Sequence, residues 1–267
     1  MIAVGTAMKS DPGDILRGFV TGFEVGARIG ADGFGDALNT RTLHSTGFCG
    51  SFAAAAAAAA LYGLDAGQAL NAIGAAATQA SGLTGSFGTM SKPFHAGKAA
   101  FNGVLSAQLA KAGFVAAHDL IEAGTGLSTA MIQDRSRAIA PMSFAADDWE
   151  ILRNTFKPYA SCLLTHPVID SARKAHSQIA GRAIDSVQVN VHPMAVQLAG
   201  NPAPQTPLQG KFSTAYCAAL ALRGRAAAAS DFSVERVNDP DLRDLVARVR
   251  LNVVPEMEKT AASIVVT

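Results

Sequence analysis

Residues 50–63 read GSFAAAAAAAALYG, and this run decides the class of the fold. Unbroken alanine closed by Gly63 predicts a helix over 50–62 that lacks large side chains. Such a helix gains little from burying its own surface, so it has to be packed closely by neighbours with equally small residues. The wider uncharged run, Leu43 to Leu64, is long enough to raise a membrane span. It is mostly alanine, interrupted by Ser45, Thr46, Ser51 and glycines, which fits a buried core helix better.

Other helices read outward from there. Asp11-Pro12-Gly13-Asp14 predicts a start with an Asp cap and Pro in the first turn, running to about Gly30. Asp65 with Gln68 forms a capping box that opens the next helix, through Ala77. Pro93 suits the first turn of a helix that runs to Ala112 and stops at Gly113. Residues 117–124 read as a further short helix. The texture then changes near Pro141–Trp149. Helices are expected over Thr165–Gly181, Thr214–Ala229 and Pro240–Val246, with a proline-rich connection over 201–210. Val187, Val189 and Val191 alternate with polar residues as a half-buried strand does. Residues 248–254 and 263–267 read as an antiparallel pair, the second running to the last residue. The expected architecture is mainly α: an all-helical domain, 1–146, then a smaller α+β domain, 147–267.

Composition narrows the function. The chain has 267 residues, half of them hydrophobic, and a formal charge of +1. No basic excess points to nucleic acid or a membrane surface. The cysteines Cys49, Cys162 and Cys217 are odd in number and far apart, so neither a disulfide framework nor a zinc site is indicated, as in a reducing cytoplasm. No charged n-region followed by an apolar h-region opens this sequence, so a secretory signal is not expected.

The densest chemistry is Ser91-Lys92-Pro93-Phe94-His95-Ala96-Gly97, after the glycine-rich run 82–88. Lys92 stands at a helix entrance, where free N–H groups and the dipole favour an anion. A cation and a histidine there fit a carboxylate or phosphate; a solvated surface lysine is the plainer alternative. Glu24 and Arg28, four apart, read as an ion pair on a helix surface or at a helix contact.

Seven stretches in order together resemble the MmgE/PrpD family, which includes 2-methylcitrate dehydratase, cis-aconitate decarboxylase and iminodisuccinate epimerase. They are 22–30 (GFEVGARIG), 44–47 (HSTG), 79–82 (QASG), 91–97 (SKPFHAG), 157–162 (KPYASC), 165–170 (THPVID) and 211–217 (KFSTAYC). The resemblance implies a helical domain with an α+β lid, a homodimer, and a small di- or tricarboxylate handled without metal or other cofactor. It gives catalytic positions to His44 (proton transfer, or a hydrogen bond to a carboxylate), Lys92 (carboxylate clamp) and Lys157 (a lid lysine reaching across the cleft). Ser91, His95, Cys162 and His166 would line the substrate.

For each there is a plainer reading: His44 as a helix cap, His95 as orienting the pocket only, Lys157 as a solvated lysine. His166 and Asp170, four apart, read as mainly structural, and Tyr216 as packing. Cis-aconitate decarboxylases carry a catalytic histidine where this chain has Cys162, here read as a buried structural thiol. That leaves dehydratase or epimerase-like chemistry ahead of decarboxylation. Family members are longer: an upstream Asp-Asp pair and His-Pro motif, and the last strands and helices of the lid, have no counterpart here. The chain resembles the middle of a family member, and both domains are incomplete against the family. A fragment without turnover, keeping only carboxylate binding or oligomerisation, is the alternative function.

Overall fold

The computed structural model describes residues 1–132, 147–179 and 181–267, and only the backbone at 32, 33, 36, 39 and 40. The described residues divide into two compact units: Met1–Gly85 with Ser91–Asn154, and Ser86–Met90 with Thr155–Thr267. The expected boundary at 146 lies at the edge of residues outside this description. Residues 147–154 stay with the first unit because Glu24 accepts the N–H groups of Glu150 (3.1 Å) and Ile151 (3.0 Å).

The first unit is helical: α1 (Ile2–Met8), α2 (Pro12–Arg28), α3 (Gly35–Thr40), α4 (Ser45–Tyr62), α5 (Ala66–Ala77), α6 (Ser91–Lys111) and α7 (Leu127–Met131). The local signals work as chemistry requires. Asp11 accepts the N–H of Asp14, and Asp65 and Gln68 exchange both bonds of the capping box. Gly63 ends α4 at φ 62°. Three expectations are corrected. After α2 the chain does not leave the helix near Gly30 but passes through a π-helical turn, Ile29–Phe34, into α3. The alanine helix begins at Ser45, not residue 50, with His44 at its cap position. Residues 117–124 form turns, not a helix: Asn71 takes the N–H of Ala116, Leu120 takes that of Leu127, and the helix comes later, as α7.

Small residues set how α4 is held. Gly18, Gly22 and Gly26 lie one above another on α2. A Cβ on Gly22 would meet the Ala53 carbonyl oxygen at 2.5 Å, and one on Gly26 the Ala53 Cβ at 2.7 Å. From α6, a Cβ on Gly103 would meet the Ala54 Cβ at 2.4 Å. The α4 backbone is therefore gripped by backbone on both sides. By length and composition α4 could cross a membrane; half of it is buried in this fold. Phe48 and Phe52, fully buried, supply the large side chains its alanines lack, packing with Phe34, Ile29 and Leu38.

The second unit contains α8 (His166–Ile179), β1 (Val187–Val191), α9 (Pro193–Ala199), α10 (Pro207–Gly210), α11 (Thr214–Leu222), α12 (Val234–Val237), α13 (Pro240–Ala247), β2 (Val249–Val253) and β3 (Ala262–Val266). The expected pairing of the last two strands is wrong. The order is β2-β1-β3: β1 pairs in parallel with β2 and antiparallel with β3. Val187, Val189 and Val191 face a core shared with Val168, Ile169, Leu220 and Leu245. The other face is polar: Asn252 donates to Asn190, which donates to Ser263, both at 2.8 Å. All of α11 is buried. It stops at Leu222, not near 229, because Gly224 takes φ 71° and the N–H groups of Gly224 and Arg225 cap the carbonyls of Ala221 and Leu220. The connection over 201–210 includes the short α10. Segment 86–90 joins this unit through Phe87, whose ring lies 5.5 Å from that of Phe212.

Candidate functional site

In the first unit, a short antiparallel contact builds the site. The His44 N–H donates to the Gly82 carbonyl (3.0 Å), and the Thr84 N–H to that of Thr42 (2.9 Å), bracketing a bridge between Leu43 and Leu83. This fixes His44 where α4 begins, beside the entrance of α6. His44 is buried, and its Nδ1 lies 3.0 Å from Nδ1 of His95, one turn into α6. The ring centroids are 5.3 Å apart.

Two glycines permit this meeting. A Cβ on Gly82, at φ 128°, would lie 3.2 Å from His95 Nδ1 and 3.5 Å from the His44 Cβ. One on Gly47 would lie 2.5 Å from the Ser81 carbonyl oxygen and 3.2 Å from the His95 Cβ. The last residues of the HSTG and QASG stretches are thus the space into which His95 fits.

Electrostatics keeps His44 neutral. Burial, then the Lys92 ammonium, then His95 depress its pKa to about 4. Lys92 is half-buried in the first turn of α6, and Ser91, the first helical residue, is exposed. Lys92, His44 and His95 are therefore brought together: a cation at a helix entrance beside two imidazoles, of which His44 is held neutral. Asn102, further along α6, was not singled out from sequence. It is buried, donates to the Gln79 carbonyl (3.2 Å), and its Oδ1 has no protein partner.

Lys157, Cys162 and His166 belong to the second unit. Lys157 is exposed, and its ammonium donates to the Ser161 carbonyl at 3.4 Å. Cys162 is half-buried, which corrects its reading as a buried thiol; it stands on the turn before Leu163–Thr165, and its N–H donates to the Lys211 carbonyl. The fully buried thiol is Cys217, pushed up to about 12 by desolvation.

His166 is buried, packs edge-on against Tyr159 at 5.2 Å, and has no protein partner at Nε2. Burial lowers its pKa, with a smaller contribution from Lys157. The Tyr159 hydroxyl donates to Asp170, so this tyrosine joins the two residues read as a helix-spaced pair. Tyr216 packs as expected, its hydroxyl donating to the Asp231 carbonyl at 2.7 Å. Glu24 and Arg28 lie at a buried contact, not on a helix surface. Among the described residues no three His, Cys, Asp or Glu side chains cluster as metal ligands.

Residues 1–140 match the MmgE/PrpD N-terminal domain and residues 159–267 the MmgE/PrpD C-terminal domain. The chain belongs to the MmgE/PrpD family. Within it, this MmgE/PrpD chain is similar to cis-aconitate decarboxylase of Aspergillus terreus, 29% identical over 256 residues, covering 88% of the chain and 52% of that protein. The Homo sapiens cis-aconitate decarboxylase is 27% identical over 253 residues, 91% of the chain and 52% of that protein. The cis-aconitate decarboxylase-like protein oryM of Aspergillus oryzae is 42% identical over 103 residues, 38% of the chain and 21% of that protein. The chain spans about half the length of the first two relatives.

Proposed function

We propose that this chain carries the carboxylate-binding and proton-transfer groups of an MmgE/PrpD-type lyase acting on a small di- or tricarboxylate, by dehydratase-like elimination. The observation that supports this best is Lys92 at the entrance of α6 beside the neutral His44 and its contact with His95. Lys92 and the first N–H groups of α6 hold a substrate carboxylate. His44, neutral at pH 7, takes a C–H proton α to a carboxylate as the C–O bond breaks, and one proton returned from the imidazole to the leaving hydroxyl lets it depart as water. The protein works as a homodimer. In the named relatives the reaction is decarboxylation. Cys162, where the family resemblance puts a histidine in those enzymes, favours elimination here.

The experiment is incubation with 2-methylcitrate and with cis-aconitate, followed by proton NMR. Loss of water from 2-methylcitrate supports the reading; loss of CO2 from cis-aconitate would make the chain a decarboxylase. Binding of both without turnover would leave a carboxylate-binding module and overturn the lyase assignment.

A further inference from the structure

We propose that His95 is a positioning residue for His44: the two imidazoles share one Nδ1 proton and are held in opposite tautomers. The geometry carries this. At 3.0 Å the two Nδ1 atoms are at hydrogen-bond distance. Two lone pairs would repel there and two N–H groups would collide, so one proton lies between them. A neutral imidazole has a single N–H. The ring that donates at Nδ1 is therefore bare at Nε2, and the ring that accepts carries its own proton at Nε2. The neutral pair presents one proton acceptor and one proton donor at its two outer nitrogens.

The arrangement is enforced from several sides. His44 is anchored by its N–H on Gly82, and Gly47 and Gly82 lie so near His95 that a Cβ on either would come within 3.2 Å of it. Lys92 and His95, both from α6, act on His44 electrostatically and, with its burial, oppose a positive charge on that ring. The Ser81–Gly82 segment packed on the other side brings no ionisable side chain.

The consequence for chemistry rests on the lyase reading above. When the bare Nε2 takes a proton, the Nδ1 proton crosses to the other ring, which releases its Nε2 proton. One proton enters, one leaves, and the pair ends neutral with its tautomers exchanged. Both proton movements of an elimination could pass through it without a lasting charge beside Lys92.

The test is long-range proton–nitrogen NMR of the 15N-histidine-labelled chain at pH 7, with His44→Asn and His95→Asn used only for assignment. The expected result is one ring in the Nδ1–H form and the other in the Nε2–H form. Both rings in the same tautomer overturn the proposal. The spectra need no substrate, so this inference can fail while turnover is found, and can hold where none is. In a form that turns over, His95→Phe lowers kcat about ten-fold or more with KM little changed. His95→Asn, which keeps a hydrogen-bonding group near the Nδ1 position, recovers part of that rate. Equal losses in the two variants overturn the positioning role.

Discussion

Glu24 in α2 accepts the backbone N–H of Ile151 at 3.0 Å, across 127 positions of sequence. The same carboxylate takes the N–H of Glu150 and the Arg28 guanidinium, both at 3.1 Å, while Arg28 donates to the Asp148 carbonyl. A charge that answers this many donors in a buried place pins residues 148–151 to α2.

Removing that charge should be costly. Glu24→Ala leaves two N–H groups and a buried guanidinium without their acceptor, and the expected loss is about 3–5 kcal/mol. Desolvation alone would raise the Glu24 pKa, but the N–H groups of Ile151 and Glu150 and then Arg28 outweigh it and hold the carboxyl below its ordinary 4.5. A folded value below the unfolded one gives stability that is complete above 4.5 and lost as pH falls through the lower folded value. Urea melts from pH 6 downward should lose stability faster for the parent than for Glu24→Ala; parallel profiles would contradict this.

His44 gives a second pH signature. Its ring titrates near 4 when folded, against 6.5 for an ordinary histidine. Between these values the unfolded chain binds the proton and the folded one does not, so stability rises with pH from about 4 to 6.5 and is flat above. A proton-NMR titration of the His44 ring should show a midpoint close to 4, moving upward in Lys92→Met. A midpoint at 6.5 in the parent would mean the ring is solvated.

The grip on α4 predicts opposite signs for one chemical change. Gly22→Ala and Gly103→Ala drive a methyl into the α4 backbone and should each cost about 1–3 kcal/mol. Gly97, on the same helix as Gly103, has open space where its Cβ would go, and Gly97→Ala should stabilise by about 0.5–1 kcal/mol. Thermal melts of the three variants check this; similar Tm shifts for Gly97 and Gly103 would remove the close-approach argument.

Binding is expected to depend on Lys92. On the proposed function, Lys92→Ala should weaken tricarballylate binding by roughly 10- to 100-fold, the loss of one charge-assisted hydrogen bond of about 1.5–3 kcal/mol. Lys98→Ala, removing an exposed cation that lies over the Phe101 ring, should change it little. Calorimetric titration distinguishes the two, and an equal effect at both positions would point to diffuse positive charge.

What could be read from the chain was local. Asp65 with Gln68, Asp11 with Pro12, and the stop at Gly63 are interactions within a few residues, and each formed as written. The alternation Val187, Val189, Val191 likewise announces a strand with one buried face. Pairing between distant segments left no such mark. β2 joins β1 rather than β3, a choice made by which edge of β1 each strand covers after a long connection. The end of α11 was hidden because a helix buried on every side has no period to lose. At the candidate site, the resemblance named His44 and Lys92 separately. Their setting depends on Gly47 and Gly82, whose role is to be absent as side chains, and on a ring contact across 51 positions.

The close seat of α4 also bears on how the gene can drift. Every replacement of a glycine codon's first or second base that encodes another amino acid encodes one with a Cβ. At Gly22, Gly26 and Gly103 that atom lands within 2.8 Å of helix α4. The three positions therefore have no near-neutral neighbours in sequence space: silent third-base changes can accumulate there, while a substitution at Gly22 or Gly103 needs the α4 backbone itself to give way, and one at Gly26 needs Ala53 to lose its methyl.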